Sequence, residues 1–98
     1  MARPAPDFAV APVLVRLPPL LLNLFPTAPP RVELHVGTVG EMIDALDARW
    51  PGMRDRLCDS TPTIRRHINV FVDGRRATLA ARLEPGMDVF ILTAISGG

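Results

Sequence analysis

The residues of this chain best suited to chemistry are its last two, Gly97 and Gly98, which follow a run that reads as a buried β-strand. Two glycines at a free carboxyl end make a thread without Cβ atoms. Such a thread enters a channel too narrow for any other residue and presents its carboxylate inside another protein. Other reactive groups are sparse. Cys58 is the one cysteine, so an internal disulfide is excluded, and a lone cysteine reads as a small buried hydrophobe. His35 and His67 stand far apart in sequence and show no metal-ligand spacing with Cys58. His67 reads as a surface or interface residue at the start of a strand. No nucleophile elbow, P-loop or dinucleotide glycine pattern is present.

Composition narrows the function further. All 11 basic residues are arginine, and a guanidinium that stays protonated is a poor acyl acceptor. An isopeptide bond would therefore be made by the C-terminus of this chain onto something else. The net charge of +1 gives no basis for binding nucleic acid or an anionic membrane. With 98 residues, 48% of them apolar, the sequence specifies one domain with a modest packed core. The apolar stretch 10–25 is interrupted by Pro12, Arg16, Pro18 and Pro19, and its runs fall far short of the roughly 20 residues that span a bilayer.

The elements that must position the end follow from periodicity. Residues 10–17 alternate with Val13, Val15 and Leu17 on one face, and Pro18-Pro19 stops the ladder. Residues 20–24 form a helical turn, and 31–36 alternate as a second strand in a hairpin with the first. Thr38 and Glu41 form a capping box, followed by Val39, Ile43, Leu46 and Trp50 on one helical stripe, while Glu41, Asp44, Asp47 and Arg49 face water. Pro51-Gly52 ends that helix and 53–58 start a short second one. Ile68, Val70 and Val72 share one strand face, Asp73-Gly74 makes a tight hairpin turn, 75–79 return as an edge strand, and 88–92 form the last strand. Strands with an interposed helix predict an α+β layer.

Three local matches carry a resemblance. Val15-Arg16-Leu17-Pro18-Pro19-Leu20, Trp50-Pro51-Gly52-Met53 with Arg56-Leu57 and Asp59, and Arg66-His67-Ile68-Asn69-Val70-Phe71-Val72-Asp73 are similar to segments of the ubiquitin-like sulfur carriers, the family of ThiS and of the molybdopterin synthase small subunit MoaD. The ending from Val89 to Gly98 is similar to the last strand and six-residue tail of those carriers. Departures are the proline-rich loop 25–30, Met87 in place of an acidic residue, and a tail reading Thr93-Ala94-Ile95-Ser96.

The resemblance implies a ubiquitin-like β-grasp, a mixed sheet of about five strands on one main helix. It divides the chain into a disordered N-terminal extension (1–9), the β-grasp domain (10–92) and a flexible Gly-Gly tail (93–98). It further implies that the Gly98 carboxylate, reached past Gly97, is adenylated by an E1-like enzyme using ATP and Mg²⁺. The acyl-adenylate then becomes a thiocarboxylate that donates sulfur in cofactor or cysteine-type biosynthesis. The chain would be a protein substrate in the cytoplasm and no enzyme itself, with no bound cofactor. Its partners would be the adenylating enzyme and a sulfur acceptor enzyme or larger synthase subunit. Alternatives are the small subunit of a molybdopterin-synthase-type complex, a ubiquitin-like protein modifier, and an inert binding module.

Strand parity places the docking surface. With Ile68, Val70, Val89 and Ile91 facing the helix, Phe71, Phe90 and Leu92 face out as one apolar patch near the tail root, rimmed by Arg16, Arg65, Arg66, Arg75 and Arg76. Ile95 in the tail joins this partner-binding set. From Leu92 to Gly98 the chain spans at most about 20 Å when extended, enough to reach a site buried within a partner.

Overall fold

Alternating apolar residues in five short segments build a single mixed sheet, described in a computed structural model that covers residues 11–60 and 63–93. The elements are β1 (Val13–Arg16), α1 (Pro19–Leu24), β2 (Arg31–Leu34), α2 (Val39–Arg49), α3 (Met53–Leu57), β3 (Ile68–Val72), β4 (Arg75–Arg76) and β5 (Asp88–Thr93). They are ordered β2-β1-β5-β3-β4 across the sheet. β1 and β5 run parallel, whereas the β1–β2, β3–β4 and β3–β5 pairs are antiparallel. The last strand thus occupies the middle of the sheet. This is the β-grasp architecture of ubiquitin-like proteins, as the sequence motifs imply.

One face of the sheet packs on α2. Val13, Val15, Ile68, Val70, Val89 and Ile91 point inward against Val39, Met42, Ile43 and Leu46, with Met53 and Leu57 of α3 closing the layer. Each is essentially removed from water, a gain of about 1.5–3 kcal/mol for a large aliphatic side chain. Trp50, placed by periodicity on the core stripe, is only partly buried, and Met42 takes the deeper position.

Local chemistry fixes the helix ends. The Thr38 hydroxyl accepts from the Glu41 amide at 3.1 Å, and the Glu41 carboxylate accepts from the Gly37 amide at 2.8 Å. The capping box therefore closes one residue earlier than its standard form, in which the acid reaches back to the cap residue itself. At the other end Trp50 precedes proline, which disfavours helical backbone, and Gly52 takes φ 100°. Asp47, expected to face water, is half-buried and accepts from the amides of Gly52 and Arg54 at 3.0 Å each. It therefore joins α2 to α3, and an Arg54–Asp44 ion pair supports the same junction.

Four strands are shorter than their periodicity predicts: β1, β2, β3, which begins at Ile68 and leaves His67 in the preceding turn, and above all β4, which stops at Arg76. Its continuation has other work. The carbonyls of Leu79 and Ala81 accept from the Gly40 and Val39 amides at 3.0 Å each, satisfying donors that the first turn of α2 leaves without intrahelical partners. The turn before β4 is as expected, with Asp73 at φ 48° and Gly74 at φ 86°, the paired positive values of a two-residue hairpin. The expected extension 1–9 and the tail beyond Thr93 lie outside the described residues.

Candidate docking face and tail root

The pairing registers align one residue from each strand in a row across the outer face: Arg31, Arg16, Phe90, Phe71 and Arg76. Two aromatic rings sit at its centre with arginines on both flanks. The row exists because all five residues have the strand parity opposite to that of the core. Along β5 the next outward residue is Leu92, beside Asn69 of β3. Phe90 is 39% and Leu92 44% exposed, which is high for side chains of this size, whereas Phe71 is half-covered between Phe90 and Arg76.

Arg16 has a second role in this row. Its guanidinium carbon lies 5.0 Å from the centroid of the Phe90 ring, within cation–π range, a contact of about 0.5–2 kcal/mol according to desolvation. Its Nε is buried without a hydrogen-bond acceptor among the described residues, which leaves the Phe90 ring as a favourable contact for the group. Phe90 is thereby pinned from one side and open on the other.

Charge along the outer face is ordered. The row away from the tail pairs Glu33 with Leu14 and Leu14 with Asp88, placing carboxylates there. The rows toward the tail hold Arg31, Arg16 and Arg76 around the apolar centre, with no carboxylate among the described residues. A partner surface that fits presents an apolar recess with acidic flanks near the tail. Its other end is basic or neutral.

The structure brings Phe71, Phe90, Leu92 and Arg76 together as the sequence implies, and adds Arg31. It corrects the rim. Arg75 pairs with Val72 and so has the opposite parity, while Arg65 donates from Nε to the Asp55 carbonyl at 2.8 Å and belongs to the α3 side. Arg66 and His67 are exposed just before β3. Gly97, Gly98 and Ile95 lie outside the described residues. The last described residue, Thr93, pairs with Ile68 at the end of β5.

Cys58 is 4% exposed and bridges to Ile64 beside α3. Burial pushes its thiol above the ordinary range, against the opposing pull of the Arg54 guanidinium, so it is a packed thiol and not an activated nucleophile. Among the described residues no group of His, Cys, Asp and Glu side chains is arranged to hold a metal ion. No helix among them is long and apolar enough to cross a membrane. Sequence reasoning missed the bracing role of Asp47. The available signal was an acidic residue just ahead of Pro51-Gly52, where freed amides need an acceptor.

Neither a protein-family model nor a curated protein matches the sequence. Solved structures do match it. A chain of the Amycolatopsis orientalis BexX/CysO complex superposes with a TM-score of 0.78 and 31% identity, covering 88% of this chain and 99% of that one. CysO of Mycobacterium tuberculosis gives a TM-score of 0.77 and 27% identity over 85% of this chain and 99% of its own. SAMP1 from Haloferax volcanii gives 0.73 and 26% over 88% and 98%. In all three cases nearly the whole of the matched chain is covered.

Proposed function

The chain belongs to the ubiquitin-like sulfur carrier and modifier family, and from that membership we propose that it carries sulfur as a thiocarboxylate on Gly98 for cofactor or cysteine-type biosynthesis. The carrying observation is the placement of the docking face. Phe90 and Leu92 lie on β5, the last strand before the Gly-Gly end in the sequence, so a partner gripping this face holds the tail at a fixed root.

The chemistry belongs largely to the partner. One oxygen of the Gly98 carboxylate attacks the α-phosphorus of ATP and pyrophosphate departs, with Mg²⁺ and the partner's cationic groups offsetting the phosphate charge. The acyl-adenylate is a good electrophile because AMP leaves readily. Hydrosulfide from the sulfur source then attacks the acyl carbon, AMP departs with the bonding electron pair, and the thiocarboxylate remains. This chain contributes the acyl group, a terminus narrow enough to enter the site, and a rigid face that sets its reach. It binds no cofactor of its own and works in the cytoplasm beside the adenylating enzyme and the enzyme that accepts the sulfur.

The test is mass spectrometry of the chain after incubation with an adenylating enzyme, ATP, Mg²⁺ and a sulfur source. The expected result is a mass gain at Gly98 equal to the exchange of one oxygen for one sulfur, absent after deletion of Gly97-Gly98. An unchanged mass with an enzyme that modifies a known carrier overturns the reading. The likeness to SAMP1, a small archaeal modifier protein, favours one second reading, attachment to other proteins. Gly-Gly remnants on cellular lysines would support it, and their absence removes it. Without lysine, the chain cannot be linked into polymers of itself through lysine.

A further inference from the structure

Of the four large hydrophobic side chains that the described residues leave exposed, Phe90 and Leu92 belong to the outer face, but Leu20 (50%) and Leu24 (41%) do not. The latter two stand one turn apart on α1 and wall an open groove of about 760 Å³ between α1 and α3. Leu21, Phe25 and Ile68 also line it, and Arg56, Arg65 and a single carboxylate, Asp55, complete its edge.

The topology puts this groove at the root of the tail. β1 runs parallel to β5, so the α1 that follows β1 lies at the end of the sheet where β5 finishes. Ile68, in the groove wall, is the register partner of Thr93, the last described residue before the Gly-Gly end. The end of β5 at Thr93 therefore stands between two apolar surfaces, Leu92 on the outer side and the Leu20–Leu24 groove on the helix side.

Resting on the carrier reading, we infer that the Leu20–Leu24 groove is a second docking site for the adenylating enzyme and receives an apolar side chain with an adjacent carboxylate. An enzyme that draws five further residues into a channel must surround the tail root, so its channel mouth meets both sides of β5. An apolar anchor fills the leucine-walled groove. The guanidiniums of Arg56 and Arg65 on the groove's edge outnumber the lone Asp55 and call for an acidic neighbour beside that anchor. The outer face and the groove then act as two halves of a collar, fixing the direction in which the tail points as well as its position.

The experiment is ATP–pyrophosphate exchange by the adenylating enzyme, with the full chain as substrate. It compares the wild type, Leu20→Gln/Leu24→Gln, Leu20→Met/Leu24→Met and Arg56→Glu. Both leucines are half in water already, so the polar pair should fold, and its circular dichroism is checked. The inference expects the Gln pair to raise KM for the chain by about tenfold or more with kcat nearly unchanged, the Met pair to restore it, and Arg56→Glu to raise KM by a smaller factor. Wild-type KM in a folded Gln pair overturns the groove alone. No exchange with the wild-type chain overturns the carrier reading and the groove with it. A wild-type dimer that the Gln pair abolishes would assign the groove to a second copy and overturn the inference. Amide shifts at Leu20 and Leu24 on deleting residues 94–98 from the free chain would assign it to the chain's own tail, with the same consequence.

Discussion

The two faces of the sheet are made from the same strands and do different work. On the helix side Val13, Val15, Ile68, Val70, Val89 and Ile91 are all at most 6% exposed, and they hold the fold. On the outer side the alternate residues of those strands, Arg16, Asn69, Phe71, Phe90 and Leu92, make a half-open surface of rings, aliphatic ends and guanidiniums. Neighbours one residue apart on β5 therefore answer to different pressures. Ile91 is held by packing, whereas Phe90 is left open to solvent. Stability and recognition should separate cleanly along a single strand.

The largest expected effect is on the inner face. Ile91→Ala should lower unfolding free energy by about 2–5 kcal/mol in urea titrations, a large part of what a domain this small has. A variant as stable as the wild type would break the contrast between faces. Phe90→Ala should cost about 0.5–2 kcal/mol of stability, the share of the Arg16 contact, yet weaken turnover by the adenylating enzyme about tenfold or more, because ring truncation removes the centre of the patch. Equal losses in both measurements would show that the outer face is structural as well.

Smaller effects sharpen the inner side. Asp47→Ala leaves the Gly52 and Arg54 amides without their shared acceptor and should cost about 1–2 kcal/mol, read as a shift in the urea midpoint. Thr38→Ala removes the cap of α2 and should cost about 1 kcal/mol by the same titration. The smallest concerns Cys58. Its thiol is raised by burial, so the unfolded chain loses this proton first as pH climbs. Its contribution is whole below the ordinary 9.0 and diminishes above it, more in the wild type than in Cys58→Ala. Native Cys58 should also resist iodoacetamide at pH 8 and react promptly in urea.

Much of this was legible in the sequence because period-two alternation and turn residues are local signals. Val70 and Phe71 could be assigned to opposite faces from parity alone, and Asp73-Gly74 located the hairpin. What escaped depends on distant partners. The row from Arg31 to Arg76 exists only once four registers are set, and no local pattern reveals that Arg16 will lie against Phe90. The sequence extends β4 to Leu79 because residues 77–79 look extended, while the carbonyls of Leu79 and Ala81 are used by amides of α2 some forty residues earlier in the chain. The Leu20–Leu24 groove was invisible for a related reason. The sequence reads there as a helical turn, and only the fold shows that α3 stands off from it and that Ile68 lies between.

The central position of β5 has a mechanical consequence. Its backbone is laced along one edge to β1 and along the other to β3 over five residue pairs. Traction applied to the tail along the strand axis loads both ladders in shear, so their hydrogen bonds must yield together instead of one after another. The short β4 at the margin has no such protection and would peel first. A domain built this way bears load better through its last strand than at its β4 margin.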